Sequence, residues 1–174
     1  MSQPNLPRRL HHSACITRDQ EATRRFYEDI LGMPLVATWK EVAGGRAYCH
    51  TFFGLADGGA LAFFQYEEVP DAAMFDAQRQ VTPFRHIALE CDAETQDGIE
   101  RRLREAGFGD DAVRMTDHGY CRSLYVKDPN GIQLEFTVDP PEVQRINDVR
   151  RSTAHEDLAS WLAGDHSPNN ELRH

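Results

Sequence analysis

The sequence is poor in cysteine: four in 174 residues, and no two of them form a CxxC pair. Cys15, Cys49, Cys91 and Cys121 lie far apart, which excludes a zinc knuckle or a dithiol redox centre and leaves free thiols within a core. Long apolar runs are missing too. Nowhere do roughly 18 apolar residues follow one another, so no membrane-spanning helix and no membrane partner are expected. The opening MSQPNLPRRL lacks the apolar stretch of a secretory signal, and a cytoplasmic location is the expectation. Basic charge is in short supply, with 19 Lys and Arg against 28 Asp and Glu and a formal net charge of −9. Proteins that grip a phosphate backbone present a basic face, so nucleic acid is not an expected partner.

What is present is a globular composition, 40% apolar and 27% charged, at a length that suits one domain or two small modules sharing a core. Two units follow one grammar. In the first, the strand HHSACIT meets Asp19, a good helix N-cap, and Ala22, Phe26, Ile30 and Leu31 recur at helical spacing up to Gly32. Strand-like segments PLVATWKEV, RAYCHTFFGL and GALAFFQY come next, broken at Gly44-Gly45 and at ADGG. The second unit opens with FRHIALECD, where Asp92 offers the cap. Ala93, Ile99, Leu103 and Ala106 then form a stripe ending at Gly107, before AVRMT, CRSLYVK and IQLEFTV.

The spacing supports duplication. His12 precedes Gly32 by 20 residues (32 − 12), and His86 precedes Gly107 by 21 (107 − 86). The expected fold is therefore α+β, two paired βαβββ modules forming a cupped mixed sheet. Module 1 spans residues 8–69, module 2 spans 82–139, and a C-terminal helical extension and tail take 140–174. In the extension, Thr153 and Glu156 read as a capping box for a helix with Leu158, Trp161 and Leu162 on its apolar edge and Gly164 as its stop. The last residues, DHSPNNELRH, are polar and expected to be loosely held.

The segment KDPNGIQLEFTV contains Asp128-Pro129-Asn130-Gly131, a type I turn sequence, feeding a strand with Ile132, Leu134 and Phe136 on one face and Gln133, Glu135 and Thr137 on the other. His86 shares a face with Ala88 and Glu90, and His12 with Ala14 and Ile16. If the first strands of both modules and the last strand of module 2 line one concave sheet, His12, His86 and Glu135 converge. Two imidazoles and one carboxylate, leaving open positions, suit a catalytic divalent metal.

HHSACITRDQEATRRFYEDILGM, RHIALEC and YVKDPNGIQLEF together resemble the vicinal oxygen chelate superfamily, which includes glyoxalase I, bleomycin- and fosfomycin-resistance proteins and type I extradiol dioxygenases. The resemblance covers about residues 8 to 139. It implies paired βαβββ modules cupped around a metal to which a small-molecule substrate chelates through neighbouring oxygens. Carried onto this chain, the ligands are His12, His86 and Glu135, with His12 preferred to His11 by its seven-residue spacing to Asp19 (19 − 12). Glyoxalase I-like relatives take a further carboxylate from the last strand of module 1. Counting from Gly59 as Glu135 is counted from Gly131 puts Phe63 there, with Gln65 on the same face as a candidate fourth ligand and Glu67 and Glu68 at a solvated strand end.

A three-residue site points to the extradiol branch, with Fe(II) preferred and Ni, Co, Zn or Mn as alternatives, and an aromatic diol as substrate. Tyr125 lies where ring-cleaving relatives place a tyrosine that bonds the bound phenolate. His118, on the loop before it, suits proton transfer. His11 would stand behind the metal ligand, and His50 would line the cup. Phe63, Phe64 and Trp39 are candidates for an apolar wall, and His155, His166 and His174 belong to the tail. Two rival expectations stand beside this one: a glyoxalase- or epimerase-like enzyme on Ni, Co or Zn, and a resistance protein that uses the cup as a drug-binding trough. A homodimer is expected, either with modules paired within a chain or exchanged between chains.

Overall fold

The structure is a computed structural model and describes residues 7–68, 72–78, 82 and 84–172. The module boundary at residue 69, the first six residues of the sequence and His174 lie outside the described residues. Two four-stranded sheets form. The first has strands β1 (His12–Ile16), β2 (Leu35–Ala43), β3 (Arg46–Gly54) and β4 (Ala60–Tyr66) in the order β1-β4-β3-β2. The second has β5 (Ile87–Glu90), β6 (Val113–Asp117), β7 (Arg122–Lys127) and β8 (Gln133–Val138) in the order β5-β8-β7-β6. In each sheet the first strand runs parallel to the last and the other pairs are antiparallel. A parallel neighbour needs a crossover, and each module supplies a helix there.

Those helices start where the aspartates place them. Asp19 accepts from the Ala22 amide at 2.9 Å and opens α1 (Gln20–Arg24), and Asp92 accepts from the Thr95 amide at 2.7 Å and opens α3 (Ala93–Glu105). Past Arg24 the first helix widens into a π-helical stretch, Arg25–Ile30, whose Leu31 amide reaches back to the Phe26 carbonyl at 2.9 Å. The helices tie to matching strand carbonyls. Gln20 Nε2 donates to the Phe63 carbonyl and, at longer range, to that of Cys49, and Gln96 Nε2 donates to the carbonyls of Phe136 and Arg122. Each acceptor pair is offset by 73 residues (136 − 63 and 122 − 49), so the duplication extends to individual hydrogen bonds.

The last hairpin of each module fixes its register, and here the structure corrects the sequence count. The Leu55 amide bonds the Gly59 carbonyl and the Gly58 amide bonds the Leu55 carbonyl, just as Asp128 bonds Ile132 and Gly131 bonds Asp128. Gly58 (φ +78°) is therefore the counterpart of Gly131 (φ +81°), each in the left-handed conformation that closes the turn. Four residues on from Gly58 is Ala62, which pairs with Ala14 as Glu135 pairs with Ala88. Phe63 points the other way, into the core. Gln65 shares that face, accepts from the Gln20 amide at 2.9 Å, and caps the first helix rather than facing the open side. A one-residue slip turns every side chain of a strand over.

One core serves both modules. Phe26, Tyr27, Leu31, Phe53, Leu61 and Phe63 pack with Ile99, Leu103, Leu124, Val126, Leu134 and Phe136. Tyr27, fully buried, lies 4.8 Å from Phe63 and 5.2 Å from Phe53 and donates its hydroxyl to Asp128 at 3.1 Å. Arg102 of α3 donates to the Ile30 and Leu31 carbonyls at 2.6 and 2.9 Å. The modules thus join through their helix-covered faces, leaving the opposite faces of the sheets open.

A short helix α2 (Ala72–Gln78), not foreseen from the sequence, lies between the modules, and Gln78 hydrogen-bonds both the amide and the carbonyl of Ile16 on the edge of β1. The C-terminal helix α4 runs Val143–Leu162, beginning a decade earlier than the Thr153 capping box suggests. Thr153 instead donates to Asp157 at 2.7 Å in mid-helix, and the true start follows Pro140-Pro141, residues suited to a helix entrance. No residue of α4 is buried. His155 and His166 are exposed, His166 resting on Trp161 at 4.2 Å. All four cysteines are free, with Cys121 buried and the others half-buried, and burial pushes the Cys15 and Cys91 thiols up to about 11. Such thiols are poor nucleophiles.

Candidate metal centre

On the open face of the second sheet four side chains form a chain of contacts. His86, immediately before β5, places Nε2 2.7 Å from Glu135 Oε2 on β8. Tyr125 of β7, paired directly across from Glu135, donates its hydroxyl to Oε1 at 2.8 Å. His118, on the loop between β6 and β7, lies with Nε2 2.9 Å from the same hydroxyl. Because the tyrosine proton goes to Glu135, His118 Nε2 must be the donor to Tyr125, which fixes its proton. Strand alternation explains the set: Glu135 and Tyr125 face outward between the core residues Leu134, Phe136, Leu124 and Val126.

Glu135 is 6% exposed although it faces the open side. Burial works against its charge, yet the hydroxyls of Ser123 and Tyr125, the adjacent His86 and the Thr137 hydroxyl outweigh it and hold the carboxyl below its usual range. The Tyr125 phenol is pushed up to about 12 by burial and by Glu135, so it stays a donor at neutral pH. An anionic carboxylate with an imidazole against one oxygen and a fixed donor on the other is a good hard-metal ligand already oriented by its neighbours.

The open face of the first sheet is built differently. His12 carries its Nδ1 2.7 Å from Nδ1 of His11. When His12 donates and His11 accepts, the lone pair of His12 Nε2 is left for a metal, and His11 acts as the group that sets the tautomer. Where module 2 has Tyr125 and Glu135, module 1 has Phe52 and Ala62, neither of which binds metal. Beside His12 the face is aromatic: His12 to Phe52 at 5.8 Å, Phe52 to His50 at 4.2 Å, and His50 stacked on Phe64 at 3.6 Å. Trp39, 58% exposed, pairs across from His50 and extends the row. Burial, with His12 nearby, lowers the His50 pKa, and its Nε2 is buried with no hydrogen-bond partner among the described residues.

The chain by itself therefore brings together His86, Glu135, Tyr125 and His118, and separately His11 and His12. Among the described residues no three His, Cys, Asp or Glu side chains stand close enough to hold a metal. His12 belongs to one sheet and His86 and Glu135 to the other, and the sheets meet through the core rather than across their open faces. Of the expected apolar wall, Trp39 and Phe64 are on the open face and Phe63 is not. Ser123 and Arg114, both facing the Tyr125 side, were missed by reading the sequence; their signal is the alternation of β6 and β7 about Tyr125.

Two βαβββ modules packed on one core, with a His86–Glu135 pair on an open sheet face, define a duplicated α+β fold as the class. The chain belongs to the Glyoxalase/Bleomycin resistance protein/Dioxygenase superfamily, whose sequence profile matches residues 9–136. It is 27% identical over 128 residues to a lactoylglutathione lyase of Neisseria meningitidis, a match covering 74% of this chain and 88% of that one. Among solved structures it resembles a glyoxylase/bleomycin resistance protein/dioxygenase domain from Frankia sp. (TM-score 0.57, 20% identity, 79% of this chain and 95% of that one). It also resembles a mutant of the fosfomycin resistance protein FosX from Listeria monocytogenes, crystallised with Mn(II) and a dihydroxypropylphosphonic acid (TM-score 0.58, 20% identity, 81% and 99%). Both structural likenesses concern the fold.

Proposed function

We propose that the protein is a divalent-metal enzyme acting on a small molecule that chelates through neighbouring oxygens, with His86 and Glu135 as ligands from one chain and the partner subunit's His12 as the third. The observation that carries this reading is the buried Glu135 carboxylate, ionised on an open face and touching His86 at 2.7 Å. The donor set fits a metal: two imidazoles and one carboxylate, with Ala62 providing no fourth ligand and leaving positions for substrate. When bound, the ion, Fe(II) in the preferred form, supplies Lewis acidity and the one-electron chemistry by which dioxygen opens a dihydroxylated ring.

The residues of the chain do the rest. Tyr125 holds Glu135 in place and presents a hydroxyl edge to the substrate. His118, fixed by Tyr125, holds a proton at Nε2 and offers Nδ1 to a substrate hydroxyl, so proton transfer is assigned to it. His11 orients His12. Trp39, Phe52 and Phe64 give an aromatic diol an apolar wall that excludes water. A homodimer follows from the need for a second chain to complete the donor set.

Anaerobic purification, metal identification and oxygen uptake with a panel of catechols and hydroquinones test this reading. Bound iron, oxygen consumption and a yellow ring-opened product are the expected result; tight Zn²⁺ or Ni²⁺ with no oxygen uptake overturns the dioxygenase assignment. A second reading, isomerase or lyase chemistry without oxygen, draws support from the likeness to a lactoylglutathione lyase. The three-ligand donor set weighs against a four-ligand version of it.

A further inference from the structure

Arg114 stands on β6 directly opposite Tyr125, on the open face, with its guanidinium 5.0 Å over the centre of the Tyr125 ring. Tyr125 is bonded to Glu135 and Glu135 touches His86, so this cation lies one residue away from the ligand pair. The chain has 28 acidic side chains against 19 basic ones, and Arg24, Arg104, Arg122 and Arg151 are each taken up by a carboxylate. Arg114 has no carboxylate partner among the described residues. A ring face orients a guanidinium without neutralising it, and the fork of N–H donors remains free.

We propose that Arg114 is the anion-recognising residue of the site, and that the substrate carries, besides its chelating oxygens, a carboxylate or phosphono group that docks on this guanidinium beside Tyr125. Both groups match the fork with two parallel hydrogen bonds. In a chain of net charge −9 such a local cation would offset the repulsion that the whole exerts on a negatively charged ligand. The two open faces then divide the labour, module 1 offering aromatic surface and module 2 offering the carboxylate, the phenol and the cation. This assignment rests on His86 and Glu135 being the ligand pair.

The test measures binding of benzoate, phenylphosphonate and the neutral benzyl alcohol to the full chain by NMR titration, first with chelator and then with Mn²⁺. The anions are expected to bind about tenfold more tightly than the alcohol, a difference in the range of one charge-assisted hydrogen-bonded pair. Arg114→Met should bring all three to the same affinity, Arg114→Lys should keep part of the preference, and neither should change Mn²⁺ affinity. The better of the two anions identifies the group. Equal affinities in the wild type, no binding of any probe, or a preference that survives in Arg114→Met overturns the assignment. A failure of the ligand reading shows separately, as a Mn²⁺ affinity unchanged by Glu135→Gln, and leaves the chelator arm intact.

Discussion

Asp128 holds a turn, a strand start and the other module at once. Its carboxylate accepts from the amides of Asn130 and Ile132 at 2.9 and 2.7 Å, from the Asn130 side chain at 3.1 Å, and from the Tyr27 hydroxyl at 3.1 Å. Burial pushes its carboxyl up against the pull of the Ile132 amide, the Asn130 side chain and Tyr27. Asp128→Ala leaves these buried donors without an acceptor, and an expected loss on the order of 2–4 kcal/mol follows from stranding several of them. Tyr27→Phe removes one bond and should lose about 1 kcal/mol. Urea melts of both variants check the ranking, and equal losses would refute it. The turn was legible as DPNG, but its contact with Tyr27, 101 residues away (128 − 27), was not, because nothing local encodes a long-range partner. The shared face of His86 and Glu135 was legible because strand alternation fixes a face, whereas Tyr125 was singled out by the resemblance. The fourth-ligand position was misplaced because two glycines, Gly58 and Gly59, offer two registers and only the backbone hydrogen bonds choose between them.

At the scale of elements, α1 shows how caps and charges set a helix that its neighbour stretches. Arg24 forks to Glu21 and Asp29, with Glu28 at 3.1 Å, across the junction where the α-helix becomes π-helical. Arg24 and then Arg25 hold the Glu21 carboxyl down to about 2, and Arg24 lowers that of Asp29. Unfolded, these groups titrate near about 4. Their folded values lie lower, so their contribution to stability is complete above the unfolded values and is lost as pH falls toward about 2. Arg24→Gln should therefore flatten the decline of melting temperature between about pH 4 and pH 2, and added salt should act in the same direction. Thermal melts across that range read the difference in slope, and parallel curves would count against the network. Asp19 and Asp92 were visible as caps because capping is local chemistry. The early start of α4 was not, since VQRINDVRR buries no residue and its short series Val143, Ile146 and Val149 was passed over in favour of the Thr153 capping box. The π-helical widening was hidden as well, because helical spacing tolerates one extra residue.

At the scale of the whole molecule, the proposed ligands lie on two open faces, His12 on one sheet and His86 with Glu135 on the other, and this gives the sharpest expectation. In an exchanged dimer each site takes His86 and Glu135 from one chain and the partner's His12 from the other, so a dimer holds two equivalent sites. His12→Ala and Glu135→Ala should each abolish metal binding in the pure variant. In a dimer made of one chain of each kind, one site lacks both groups and the other has all three. Unfolding and refolding an equal mixture of the two variants should thus recover about a quarter of the wild-type metal stoichiometry, since half of the dimers are mixed and each has one intact site. A site assembled within a single chain has no way to be rescued by mixing, so recovery of nothing would place all three ligands on one chain. Recovery also tests the division of the open faces: the rescued site pairs the aromatic row of one chain with the Glu135, Tyr125 and His118 of the other, and any activity returning with the metal must come from that combination.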